Sequence, residues 1–347
     1  MVGYALGNKS SEGKGEDEIR VLGEDSPGVI TYSTSATIGL YGYAHKKYSS
    51  LTIPYKTIKE AKNIRLHGVR EVVYDVFHRP DKSPLLRTML DLWGFDSYVD
   101  YLYTICELGF LEGVIPVIDF GFLTPDEMTQ LYDVFAIVKN PLFSDYDQLM
   151  DMDGIRSLDR SLDIHQKLLT WSVKLGFPTS TGFYLYDKMT IGRAKEYALY
   201  IADIIKNYNV IHEVVLTTRK RCPELPNLPA SFAKEKRIYE VVREIIPHTV
   251  PVLFTEPSIE CVDMLLSNNE KDLGAFDFSF LNSDKGAKYW EQLEDCVAKR
   301  NGSLQQRFPL RKSFIQNHMY SKKLGQVFDS YKYKIKKDLL EKQRESK

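Results

Sequence analysis

Histidine, carboxylate and basic side chains recur just past the ends of the apolar, β-type segments of this chain. In order they are His45 and Lys46, Asp75, His78 and Arg79, Asp119, Tyr186 and Asp187, Thr217, Arg219 and Lys220, Glu256 and Asp277. Residues at the carboxyl ends of parallel strands face the site of an α/β barrel, so this set is where chemistry is expected. His78 and Asp119 are the types that hold a borderline divalent metal such as iron or zinc, with positions left open. His78 or Asp75 can instead act as a general base if desolvation moves its pKa toward neutrality. Asp75, His78 and Asp119 are therefore the candidate catalytic residues, and His45, Tyr186, Arg219 and Lys220 the candidate cofactor-binding ones. Arg219 offers a bidentate fork and Lys220 a point charge to a phosphate or nucleotide. Tyr41, Tyr43, Tyr48, Phe77, Phe120 and Tyr184 can stack a planar heterocycle. Each has a plainer reading: strand-end carboxylates cap helices, basic triplets are solvated loops, and aromatic residues fill cores. No serine elbow, His-Glu-x-x-His, phosphate loop or Cys–His pairing is present.

The elements that must position these residues alternate along the chain. Apolar, β-branched runs predict strands over 31–40, 71–77, 113–120, 133–139, 179–185, 213–218, 250–255 and 274–280. Helical spacing predicts helices between them, over 55–68, 95–110, a segment opening at Thr124-Pro125, 162–175, 194–207, 233–246, 259–266 and 285–299. Thr124 is in the N-cap position with Pro125 just inside. Near-continuous apolar strands alternating eight times with helices predict a parallel (β/α)8 TIM-like barrel. An open doubly wound sheet is the alternative, but no Gly-x-Gly-x-x-Gly follows any strand.

A length of 347 residues allows either two domains or one large barrel, and 43% hydrophobic and 27% charged residues are ordinary for a globular protein. The expected organisation is an arm over 1–30, the barrel over 31–314 and a basic helix or tail over 315–347. A net charge of -1 gives no global pull toward nucleic acid or an anionic membrane. No apolar run approaches the length that spans a bilayer, and the amino terminus lacks a signal-peptide core, so a cytoplasmic location is expected. Cys106, Cys222, Cys261 and Cys296 match no zinc or cluster spacing, and three of them, set in helical or apolar runs, are expected to be buried, inert thiols.

The stretch TYSTSATIGLYGYAHKKYSSLTI resembles the signature of radical-SAM enzymes, in particular the deazaflavin-forming subunit of FO synthase. In that family a strand opening Thr-Tyr-Ser runs into a loop carrying Cys-x3-Cys-x2-Cys, whose thiolates hold a 4Fe–4S cluster that takes S-adenosylmethionine. Here the three positions fall on Ala44, Tyr48 and Leu51, none of which supplies a thiolate. Further matches keep the family's order: EVVYDVFHRPD retains Glu71, Arg79 and Pro80; IPVIDFGFLT retains Pro116, Gly121 and Leu123, with Asp119 at an asparagine. GFPTSTGFYLYDKMT retains Pro178, Thr181 and Gly182, and GSLQQRFPLRKSF matches the closing segment. The Gly-Glu pair that grips the methionine amino group falls on Phe77 and His78. The resemblance thus implies the radical-SAM barrel without a 4Fe–4S cluster. The chain is also similar to cluster-less radical-SAM-like proteins of methanogens that serve biosynthesis of the iron-guanylylpyridinol cofactor of mono-iron hydrogenase. That resemblance implies a heterocyclic, nucleotide-bearing precursor as ligand, iron as the metal, partner biosynthetic proteins, and either precursor modification or a carrier role in hydrogenase maturation.

Overall fold

The computed structural model describes residues 28–44, 47–75, 81, 83–119, 123–132, 134, 137–142, 162–218 and 230–307. Strands are β1 (Val29–Gly39), β2 (Tyr41–Ala44), β3 (Lys47–Leu51), β4 (Glu71–Asp75), β5 (Ile115–Asp119), β6 (Ile137–Leu142), β7 (Thr179–Leu185), β8 (Ile211–Thr218), β9 (Val252–Phe254), β10 (Asp272–Asp277) and β11 (Ser303–Gln306). Helices are α1 (Pro54–Leu66), α2 (Pro84–Leu92), α3 (Tyr98–Leu111), α4 (Pro125–Leu131), α5 (Leu162–Lys174), α6 (Ile191–Asn207), α7 (Phe232–Ile245), α8 (Ile259–Ser267), α9 (Phe278–Leu281) and α10 (Asp284–Ala298).

Eight strands pair in parallel in the order β10-β1-β4-β5-β6-β7-β8-β9. That is sequence order around a TIM-like barrel. At the seam β9 lies beside β10 without a hydrogen-bonded ladder, and the barrel is nearly closed. Gly274, at φ 80°, brings the backbone of β10 against Leu253 there; a Cβ would sit 3.2 Å from the leucine Cδ1.

The alternation of each strand decides the layers. Residues such as Ile38, Val72, Tyr74, Val138, Leu216 and Phe254 are buried in the apolar clusters of the core. Helix starts follow local chemistry. Thr124 and Glu127 make the reciprocal capping box of α4, with the Thr124 amide donating to Glu127 Oε2 at 2.8 Å. Thr190, Ser258 and Ser283 cap α6, α8 and α10.

Several boundaries differ from the sequence expectation. After Leu40 the chain does not run as a loop to α1 but folds into the antiparallel hairpin β2–β3. Ser83-Pro84 opens a helix that the polar HRPDKSP punctuation concealed. The fourth barrel strand is Ile137–Leu142 where the sequence suggests 133–139, with Pro141 in register with Gly182 of β7. The last barrel strand ends at Asp277, since its carboxylate accepts the Ser279 and Phe280 amides and starts α9. Strand β11, too polar to announce itself, pairs in parallel with the start of β1. The expected basic tail, and the arm apart from residues 28–30, lie outside the described residues.

Candidate active site within the barrel

The barrel interior is not filled as tightly as the fold allows. A cavity of about 200 Å³ is lined from seven strands. Its polar lining is mostly hydroxyl: Ser35 and Thr37 on β1, Ser180, Thr181 and Tyr184 on β7, Thr217 on β8, and Thr255 just past β9. Bulky branched residues ordinarily occupy these layers; short Ser and Thr side chains leave the space open. Accessibility falls down the axis: Thr37 is exposed, Val73, Tyr184 and Thr217 half-buried, and Ser35, Ser180 and Glu213 buried. The cavity therefore opens toward the carboxyl ends of the strands.

Its floor is ionic. Arg307, the residue after β11, donates its backbone N–H to Tyr32 and sends its side chain under the barrel. Its guanidinium lies 2.9 Å from Asp272 at the start of β10 and 3.8 Å from Glu213 on β8. Ser180 Oγ donates to the other Glu213 oxygen at 2.8 Å. Glu71, first residue of β4, receives Lys139 Nζ of β6 at 3.4 Å. Burial opposes the charge on Arg307, but Asp272 and Glu213 outweigh it and hold the guanidinium firmly cationic. Burial raises the Glu71 carboxyl above its usual range, against the lowering effect of Lys139; Glu213 adds to the rise.

The structure places the expected site residues as follows. Asp75 and Asp119 end β4 and β5, with Asp75 paired to Gly39 and Asp119 to Lys139 in the backbone register. Tyr186 directly follows β7 and is buried in the apolar core; Tyr184, two residues earlier, lines the cavity. Thr217 lines it too and receives a hydrogen bond from Thr255 Oγ1 at 3.3 Å. The Asp187 carbonyl accepts Lys234 Nζ, and Asp277 caps α9, the plainer role for a strand-end carboxylate. Glu256 follows β9 with φ 48°, a left-handed backbone uncommon for a non-glycine residue. His45, Lys46, His78, Arg79, Arg219 and Lys220 lie outside the described residues. Sequence reasoning missed Lys139, Glu71, Glu213, Asp272 and Arg307 because it looked only past strand ends. A charged residue inside an otherwise apolar strand was the available signal.

Among the described residues, no three His, Cys, Asp or Glu side chains converge as a metal site. Among the described residues, no set of thiolates fits a 4Fe–4S cluster. Ala44 pairs with Lys47 and Tyr48 with Tyr43 in the hairpin, and Leu51 is packed in the core at 4% exposure. The described cysteines are elsewhere and buried: Cys106 in α3, Cys261 in α8, Cys296 in α10. Desolvation raises all three thiols, Cys261 to about 11. No helix among the described residues is long and apolar enough to cross a membrane.

Over 324 residues the chain is 23% identical to the 7,8-didemethyl-8-hydroxy-5-deazariboflavin synthase of Archaeoglobus fulgidus, spanning 87% of this chain and 97% of that one. The chain is similar to deazariboflavin synthases over most of its length. The likeness recurs with the synthase of Methanothermobacter thermautotrophicus, 22% identical over 77% of this chain and 84% of that one. No protein-family model matches the chain. Among solved structures it is similar to methylornithine synthase (TM-score 0.45, 11% identity, 80% of this chain and 83% of that one). It is also similar to a Coxiella burnetii dihydropteroate synthase (TM-score 0.43, 10% identity, 78% of this chain and 93% of that one).

Proposed function

We propose that this relative of the deazariboflavin synthases works in redox-cofactor biosynthesis of the methanogen type without a 4Fe–4S cluster, binding a heterocyclic, nucleotide-bearing precursor such as a guanylylpyridinol at the barrel mouth. The observation that carries the reading is the hairpin β2–β3. The three positions of the family's thiolates are Ala44, Tyr48 and Leu51, tied into an antiparallel ladder with Leu51 in the core. The radical mechanism loses its iron site while the open, hydroxyl-lined interior remains.

In this reading the interior takes part of the ligand, and the mouth holds the rest. Arg219 and Lys220 receive its phosphate, and His45 flanks it. Asp75, His78 and Asp119 carry any chemistry, with iron on His78 and Asp119. A carrier that presents the precursor to a partner enzyme in hydrogenase maturation uses the same site without turnover.

Anaerobically purified protein, denatured and examined by mass spectrometry with metal analysis, is expected to release a nucleotide-bearing heterocycle. Metal-dependent turnover abolished by His78→Ala and Asp119→Ala identifies the enzyme; tight binding without turnover identifies the carrier. Protein that neither carries nor binds such a compound contradicts both.

A further inference from the structure

Lys139 is the cation among the residues lining the cavity, and its side chain is 32% exposed. Its ion-pair partner is slack: the Glu71 contact is 3.4 Å, beyond the usual range for a charge-assisted hydrogen bond. The other carboxylates of the floor are engaged more firmly, Glu213 by Ser180 and Asp272 by Arg307. Beside Lys139 the cavity is lined by the hydroxyls of Ser35 and Thr217 and by those of Ser180 and Thr181, which donate to Glu213 and to the Asn140 carbonyl. A cavity of about 200 Å³ has room for a six-membered ring with a small substituent, given that about 150 Å³ admits benzene.

We propose that Lys139 receives a small oxyanion of the ligand, a carboxylate or a phosphate, inside the barrel and beneath the mouth. With Glu71, Glu213 and Asp272 ionised against Lys139 and Arg307, the floor carries three negative and two positive charges. Protonation of Glu71 removes the excess and releases Lys139 for the incoming anion. Glu71 is faced by Lys139, Glu213 and Arg307, and burial raises its pKa, which favours proton uptake there. Anion binding is therefore coupled to proton uptake and weakens as pH rises through the Glu71 pKa, where an ionised Glu71 competes for the same ammonium.

The inference deepens the ligand-binding reading above. Its test uses simple probes, so it fails or stands separately from the identity of the physiological ligand. Isothermal titration of the full chain with benzoate, inorganic phosphate and the neutral isostere benzamide is the experiment. Benzoate or phosphate is expected to bind with proton uptake, and benzamide about tenfold more weakly or not at all, as loss of a charge-assisted hydrogen bond requires. The tighter of the two anions names the source. Lys139→Met should lose anion binding by a similar factor. Glu71→Gln, which keeps Lys139 and needs no counter-charge, should bind the anion at least as tightly with a flat pH profile, and it remains informative if Lys139→Met does not fold. Benzamide binding equal to benzoate, anion binding unchanged in Lys139→Met, or a Glu71→Gln protein that no longer binds the anion would overturn the proposal.

Discussion

Arg307→Ala is expected to destabilise the protein by about 3–5 kcal/mol, the cost of leaving buried charges without their partner. The guanidinium side chain is 6% exposed and sits between Glu213 and Asp272, themselves 9% and 11% exposed. Removing it takes the cation from two buried carboxylates, leaving Glu213 its Ser180 hydroxyl and Asp272 the Gly274 amide, with Lys139 engaged at Glu71. The same residue closes the ring mechanically. Its amide bonds to Tyr32, and neighbouring Gln306 donates to Thr34 Oγ1 at 2.8 Å and to the Gly68 carbonyl. Urea unfolding followed by far-UV circular dichroism should show the loss directly. A triple variant, Arg307→Met with Glu213→Gln and Asp272→Asn, should recover most of it, because the desolvated charges have gone along with their partner. A loss under about 1 kcal/mol would mean that the floor is solvated.

Gly182→Ala is expected to cost on the order of 4 kcal/mol or more, in the range reached only by a specific clash. At φ 150° the added Cβ would lie 1.9 Å from the carbonyl oxygen of Val215 and 2.7 Å from its N and C. Those atoms belong to the strand paired with β7, where Gly182 is in register with Val215, so no side-chain movement relieves the contact. The barrel wall must open between β7 and β8, beside Ser180, Thr181 and Thr217 of the cavity. Gly192→Ala is the control. Its Cβ would meet nothing nearer than Thr190 Oγ1 at 4.0 Å, and alanine in the first turn of α6 should be neutral or stabilising by about 0.5–1 kcal/mol. Equal melting temperatures for the two variants would remove the close approach from the account.

The barrel was legible because its strands are apolar runs at regular intervals, and β7 was readable to the residue at 179–185. Capping chemistry was legible too, as at Thr124. What escaped shares a physical cause. The hairpin β2–β3 carries Lys, Ser and Tyr in place of an apolar stripe, so no period marks it. Strand β11 is Ser-Leu-Gln-Gln, whose place is set by pairing with β1 and by Arg307, not by propensity. The ionic floor is formed by residues at positions 71, 139, 213, 272 and 307, which only barrel closure brings together. Two of the residues that carry the family resemblance, Glu71 and Gly182, prove to belong to the wall and floor of the barrel. The cavity opens toward the carboxyl ends of the strands, yet the hydroxyls and Lys139 lining it sit inside the strands, at positions that look like ordinary sheet residues.

The most direct test of a cluster-free barrel is anaerobic reconstitution of the full chain with iron and sulfide, followed by reductant and S-adenosylmethionine. Without thiolates at positions 44, 48 and 51, and with Cys106, Cys261 and Cys296 buried in separate helices, iron and sulfide should not assemble stoichiometrically. The expected result is no visible charge-transfer absorption and no 5′-deoxyadenosine. A stoichiometric 4Fe–4S cluster that cleaves S-adenosylmethionine would contradict the account.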